Sequence, residues 1–169
     1  MMWPFVALGL QVAATLPPIE RAVRDGIARG VFPGAVVVVG RPYNTNDSGA
    51  CLGLPEKLRK FGVHAIPMDM LPLERVTLPA KYDNMFWRSG QDILRAARII
   101  ADDPRLHAVY LTNFACGPDS FIMSYFRDTM GPKPFLELEV DEHTADAGVL
   151  TRIEAFLDSV NLRNVEAHA

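Results

Sequence analysis

The sequence has few cysteines and lacks the apolar runs that mark secreted or membrane proteins. Its two cysteines, Cys51 and Cys116, are too few for a disulfide framework. We therefore expect free or metal-bound thiols in a reducing, cytoplasmic compartment. The apolar residues 3–16 have no positively charged start and fall short of the roughly 20 residues that span a membrane. We predict a core-facing helix there, or the end of a longer chain, and no membrane partner.

Several nucleotide-binding and hydrolase signatures are also missing. The chain contains no GxGxxG, no GxxxxGK[ST] and no GxSxG motif. ATP or dinucleotide binding and a serine hydrolase elbow therefore lack their usual support. The net charge of −3 is spread over interspersed acids and bases, so we predict no nucleic-acid partner.

Alternating strand and helix patterns indicate the fold. The strand patterns are a β-branched run at 35–39, then 63–67, 107–112 and the alternating segment 135–140. Helix stripes lie between them and after the last one. We predict an α/β fold: a Rossmann-like open parallel sheet of about four strands, order 2-1-3-4, with helices on both faces. Residues 1–34 are predicted to form an N-terminal helical extension, and residues 35–169 the Rossmann-like domain. Residues 73–86 are predicted to be a long crossing loop.

Ligands of open α/β sheets bind at the carboxyl ends of the strands, where the winding reverses. The loops that leave these ends are 40–51, 69–74, 113–120 and 141–148. With the predicted order, loops 40–51 and 113–120 face each other, and Cys51 and Cys116 are expected to converge. The predicted site-lining residues are Arg41, Tyr43, Asn44, Asp69, Asn113, Asp119, Asp141, Glu142 and His143.

Cys116 carries the sharpest chemical signal. It lies in a short loop between a strand pattern and a helix pattern, where free backbone N–H groups favour the thiolate. A buried structural cysteine is the alternative, and a nucleophilic Cys116 with His143 as its base is another. Asp119 or Ser120 is predicted to cap the following helix. Cys51 has apolar neighbours, which favour burial.

The segment that begins at Asp141 has two interpretations. Asp141, Glu142 and His143 are residue types that serve as general acids, bases or metal ligands. Asp141 or Thr144 can equally cap the last helix. The sequence alone leaves both interpretations open.

Longer motifs add a family resemblance. Residues 40–72, 87–94, 108–122 (AVYLTNFACGPDSFI), 133–148 (KPFLELEVDEHTADAG) and 151–159 resemble the acyl-CoA dehydratase activase-related proteins. These are large relatives of 2-hydroxyglutaryl-CoA dehydratase and its ATP-dependent activator. The resemblance implies electron transfer, driven by ATP hydrolysis, through iron–sulfur clusters to an acyl-CoA dehydratase or reductase. It also implies that Cys116 matches a ligand of a 4Fe-4S cluster.

Two cysteines leave the ligand set of such a cluster incomplete. The resemblance implies Cys116 as a metal ligand, and the expected convergence of the loops adds Cys51 as a second candidate ligand. The implied partners are acyl-CoA dehydratase or activase subunits, or a second copy of the chain. The first hypothesis is therefore an iron–sulfur-associated domain in that electron transfer. The alternative is a non-catalytic scaffold or subunit-interaction domain that has lost the cluster.

Overall fold

The computed structural model describes residues 34–162, in which strands and helices alternate. The predicted N-terminal extension therefore lies outside the described residues, apart from Gly34. In chain order the elements are β1 (Ala35–Val39), α1 (Pro42–Thr45), α2 (Leu54–Lys60), β2 (His64–Pro67), α3 (Arg88–Asp102), β3 (Leu106–Asn113), α4 (Gly117–Met130), β4 (Phe135–Val140) and α5 (Asp146–Ser159).

The strands of the described residues form one parallel sheet in the order β2-β1-β3-β4. The α/β class and the strand order are confirmed. The central strand β1 is a run of valines after Ala35, each at most 1% exposed, as a β-branched run covered on both faces requires. Because β1 and β3 are neighbours and run in parallel, the loops after them leave the same edge of the sheet side by side.

Helices cover both faces of this sheet. Tyr110 of β3 and Val37 of β1 point to the face packed by α3 and α4. Val36 and Leu111 point to the other face, packed by α2 and α5. The alternation follows from the two-residue period of a strand, which sends successive side chains to opposite faces.

The segment between β2 and α3 is packed rather than open. It contains three single 3-10 turns, at Met68–Met70, Leu73–Arg75 and Ala80–Tyr82. Tyr82 and Met85 are each only 5% exposed, and the Tyr82 hydroxyl lies 2.9 Å from Thr129 Oγ1. The sequence predicted a crossing loop at residues 73–86. In the structure the buried side chains of Tyr82 and Met85 pack this segment against the helices.

No helix within residues 34–162 has the length and apolar character needed to cross a membrane.

Candidate functional site at the carboxyl edge of the sheet

Arg41 and Cys116 meet where the loops after β1 and β3 approach each other. A guanidinium Nη2–H of Arg41 donates a hydrogen bond to Cys116 Sγ. Gly40 allows this approach, because a Cβ at that position would lie 2.6 Å from the carbonyl oxygen of Leu111. The structure therefore brings loops 40–51 and 113–120 together, as the strand order implies.

Asp119 fixes the Arg41 side chain from below. Arg41 Nε lies 2.8 Å from Asp119 Oδ1, and Thr112 Oγ1 donates a 2.7 Å hydrogen bond to Asp119 Oδ2. The Asp119 side chain is 2% exposed and that of Arg41 is 15% exposed. Burial opposes the charge of Arg41, but the hydrogen bond and charge of Asp119 raise its pKa overall. The guanidinium is therefore a fixed positive group beside the sulfur.

Cys116 is the N-cap residue of α4, so the predicted capping role of Asp119 or Ser120 is wrong. The carbonyl oxygen of Cys116 accepts 2.9 Å hydrogen bonds from both the backbone N–H and the hydroxyl of Ser120. Ala115 has a φ of 55°, a left-handed conformation that is uncommon for a residue with a side chain. This turn places a half-buried thiol at the rim.

Cys51 has a different environment. It is 1% exposed, belongs to the apolar cluster on the α2 and α5 face, and its Sγ lies 3.7 Å from the carbonyl oxygen of Ser48. Burial raises the pKa of the Cys51 thiol, which favours its neutral form. Both cysteines are free thiols. Whether they share a metal stays a prediction.

The one-turn helix α1 positions the predicted residues Tyr43 and Asn44. The amides of Asn44 and Thr45 donate to the Arg41 carbonyl oxygen at 2.9 and 3.0 Å, which closes the turn. Tyr43 is exposed, and the Arg41 guanidinium lies 5.0 Å from its ring centroid. Asn44 is buried and accepts a 3.1 Å hydrogen bond from Asn113 Nδ2. Asn113 is thus tied to the loop after β1.

A cleft of about 350 Å³ opens beside these loops. It lies between the loop before α2 and the loops after β3 and β4. Its lining residues are Gly49, Ala50, Leu52, Asn113, Phe114, Val140, Asp141 and Glu142.

Asp141 and Glu142 line this cleft, and the exposed His143 follows them in the chain. Asp141 Oδ1 accepts hydrogen bonds from His143 N at 2.9 Å and Thr144 Oγ1 at 2.8 Å. The hydrogen bond from Thr144 is the main reason why the pKa of Asp141 is lowered. His143 is 84% exposed, with Nε2 3.7 Å from a Glu142 carboxylate oxygen. Within the described residues no hydrogen bond joins His143 to Cys116.

Asp69 lies apart from the rim contacts. Asp69 is exposed overall, but desolvation of its carboxyl group by neighbouring residues raises its pKa, and a hydrogen bond from Asn46 opposes that shift. Asp69 lines a second cleft, of about 590 Å³. The other lining residues are Leu71, Leu73, Glu74, Phe86, Arg88, Gln91, Asp92 and Arg95.

Sequence reasoning missed two groups beneath Arg41. Thr112 holds Asp119, and Tyr110 is a fully buried tyrosine whose hydroxyl has no hydrogen-bond partner in the described part of the chain. Both lie in the β3 strand pattern, where a buried polar side chain is indistinguishable from ordinary strand composition. Their proximity to Asp119 depends on how α4 packs, which no local pattern encodes.

The fit of these residues to an iron–sulfur cluster is partial. In residues 34–162 no group of three or more His, Cys, Asp or Glu side chains is placed to hold a metal. A complete four-ligand set therefore does not fit this part of the chain. Cys116 fits as a single ligand, because its half-buried thiol lies at the rim.

No curated protein and no solved structure gives a significant match to this chain. A family model does match, over a segment that includes β1, α1, α2 and β2 as well as residues outside the described range. The matched part contains Arg41 and Cys51 and ends before Cys116. Residues 10–71 match the CoA enzyme activase uncharacterised domain, so the predicted resemblance is confirmed and the chain carries a domain associated with CoA enzyme activases.

Proposed function

We propose that the chain presents Cys116 as one sulfur ligand of an iron–sulfur cluster that another polypeptide or a second copy completes. The cluster would serve ATP-driven electron transfer to an acyl-CoA dehydratase or reductase. The family match supports the setting. The observation that carries the proposal is a half-buried thiol at the carboxyl edge of a parallel sheet, with a hydrogen bond from a fixed guanidinium to its sulfur.

The residues around Cys116 have defined roles in this proposal. Thr112 orients Asp119, Asp119 holds Arg41, and Arg41 donates a hydrogen bond to the sulfur. When bound, a cluster supplies one-electron transfer, and hydrogen bonds to its sulfurs tune its reduction potential. Arg41 is therefore the residue we expect to set the electrostatic environment of the ligand.

The remaining ligands must come from another polypeptide, from a second copy of the chain, or from parts of this copy outside residues 34–162. Cys51 is a poor second ligand, because its buried sulfur lies in an apolar cluster and burial raises the pKa of its thiol. A shared cluster also requires open surface near Cys116. Phe114, two residues before Cys116, is 67% exposed, and Phe121 of α4 is 51% exposed. Apolar exposure of this kind is common at protein contacts.

Anaerobic purification of the chain with its co-purifying proteins tests the proposal. We expect iron and acid-labile sulfide in the wild type and in Cys51→Ser. In Cys116→Ser we expect background levels of both. Cys51→Ser is the matched control, since it removes the same atom from a covered position.

Equal iron in Cys116→Ser and the wild type would contradict the proposal. So would a colourless, iron-free wild-type complex after anaerobic reconstitution with iron and sulfide.

The second candidate is a scaffold or subunit-interaction domain without a cluster. The absence of a three-ligand group in the described residues favours it. It predicts an iron-free complex in which Cys116→Ser leaves both stability and partner binding at wild-type values. A large loss of either quantity in that variant would reject the scaffold hypothesis.

A further inference from the structure

We propose that the 350 Å³ cleft between the loop before α2 and the loops after β3 and β4 binds a small organic cation: an ammonium or guanidinium group on a short apolar chain. Its volume lies at the lower end of ligand pockets, which measure about 300–1,000 Å³. Leu52, Phe114 and Val140 give it an apolar lining. The inference does not depend on the iron–sulfur proposal, since Cys116 is not among the lining residues.

The polar side chains of this cleft offer oxygen atoms. Asp141 uses Oδ1 for its two local hydrogen bonds, and within the described residues Oδ2 accepts none. Glu142 is 82% exposed and carries a second carboxylate. Asn113 donates its Nδ2 to Asn44, which leaves Asn113 Oδ1 as the remaining amide atom. The cleft is therefore lined by three residues with acceptor oxygens and by apolar side chains.

The backbone of the cleft, in contrast, offers few donors. Five lining residues already donate their N–H groups to oxygens of the same loops or of the neighbouring strand: Gly49, Ala50, Leu52, Phe114 and Asp141. Anion-binding loops depend on free N–H groups of this kind. A phosphate or carboxylate would meet carboxylates here and find no compensating array of donors.

Basic side chains do not offset this excess of hydrogen-bond acceptors over donors in the cleft. None of the lining residues is Lys or Arg. Arg41, in the loop after β1, is held by Asp119 and Cys116, and Lys57 of α2 is bonded to the Leu52 carbonyl and lies 3.2 Å from Asp146. The cleft is therefore suited to a ligand with a donor-only, positively charged head group, since ammonium and guanidinium groups have donors and no acceptors.

A titration followed by amide NMR shifts tests this inference on the full chain. The probes are n-butylammonium chloride, sodium butyrate and 1-butanol, which share one apolar chain and differ in head-group charge. We expect saturable shifts at residues 113–114 and 140–142 with butylammonium, and affinity at least about fivefold above that for butanol. Butyrate should bind more weakly than butanol.

The double variant Asp141→Asn/Glu142→Gln should bring the three affinities to within about twofold of one another. Asp102→Asn, which removes an exposed carboxylate on α3, is the matched control and should keep the wild-type preference. Butyrate affinity equal to that of butylammonium would overturn the inference. Shifts confined to other surfaces, or an unchanged preference in the double variant, would do the same.

Discussion

The two cysteines lie in loops that leave the same edge of the sheet, yet their surroundings differ in kind. Cys51 is covered by apolar side chains that include Val38 and Leu54, and its thiol faces one carbonyl oxygen. Cys116 has a guanidinium on its sulfur and is part of a polar network that ends at Thr112. The difference between the two thiols therefore lies in the groups that cover each sulfur, since both loops leave the same edge of the sheet.

The local chain explains the difference. The turn before α2 places Cys51 in the same buried cluster as Leu54 and Leu58, which are at most 1% exposed. Cys116 instead stands at the start of α4, after a turn in which Ala115 has positive φ. A helix-cap position keeps a side chain at the surface, whereas a position that joins an apolar stripe buries it.

The largest expected effect concerns the network beneath Cys116. Asp119→Asn removes the carboxylate that holds Arg41, so a partly buried guanidinium loses its charged partner. We expect the free energy of unfolding to fall by about 3 kcal/mol, because breaking a buried ion pair is costly. Urea unfolding with a fixed m-value measures it.

Asp128→Asn is the control, since it removes the carboxylate of the exposed pair with Lys81. We expect no resolvable change from it. Equal losses of unfolding free energy in both variants would show that the Asp119–Arg41 pair contributes no more to stability than an exposed surface pair does.

Much of the fold could be predicted from the sequence, for identifiable reasons. The valine run after Ala35 and the alternation at 135–140 report burial directly, so the strands and their order were accessible. The facing of loops 40–51 and 113–120 followed less directly, through the rule that ligand loops gather at a winding reversal. The hydrogen bond between Arg41 and Cys116 was not predicted.

Other features could not be predicted from local patterns. The buried role of Asp119 depends on the position of α4 over β3, and a residue near a helix start looks like a cap in the sequence alone. The packed crossing at Tyr82 depends on a contact with Thr129, 47 residues away in the chain. Such contacts arise from tertiary packing, which overrides local preference.

The burial of Cys51 should also make the folding stability of the chain depend on pH in the alkaline range. Burial raises the folded-state pKa of its thiol, so the folded chain holds this proton more tightly than the unfolded chain. That contribution is fully present below the unfolded pKa of about 8.5 and is lost as pH rises above it, by at most about 1.4 kcal/mol per pH unit.

Urea unfolding at pH 7.5 and 9.5 measures this loss, with Cys51→Ala as the reference. The wild type should lose more stability between these pH values than Cys51→Ala does. An identical pH dependence in the two proteins would show that the Cys51 thiol titrates as freely as in the unfolded chain.

The smallest expected effect comes from Tyr110, the buried hydroxyl beneath the Arg41 network. It has no hydrogen-bond partner in the described part of the chain, whereas the Tyr82 hydroxyl is 2.9 Å from Thr129 Oγ1. Among the described residues, no protein group replaces the water that the Tyr110 hydroxyl loses on folding. Tyr110→Phe keeps the ring that packs against Phe126 with centroids 5.0 Å apart.

We expect Tyr110→Phe to be neutral or to stabilise the chain by up to about 1 kcal/mol, and Tyr82→Phe to destabilise it by about 1 kcal/mol. Thermal and urea unfolding of the two variants measure the difference in sign. A loss above about 1 kcal/mol in Tyr110→Phe would mean that an ordered water satisfies this hydroxyl. The polar network under Cys116 would then extend further into the sheet than its side-chain contacts indicate.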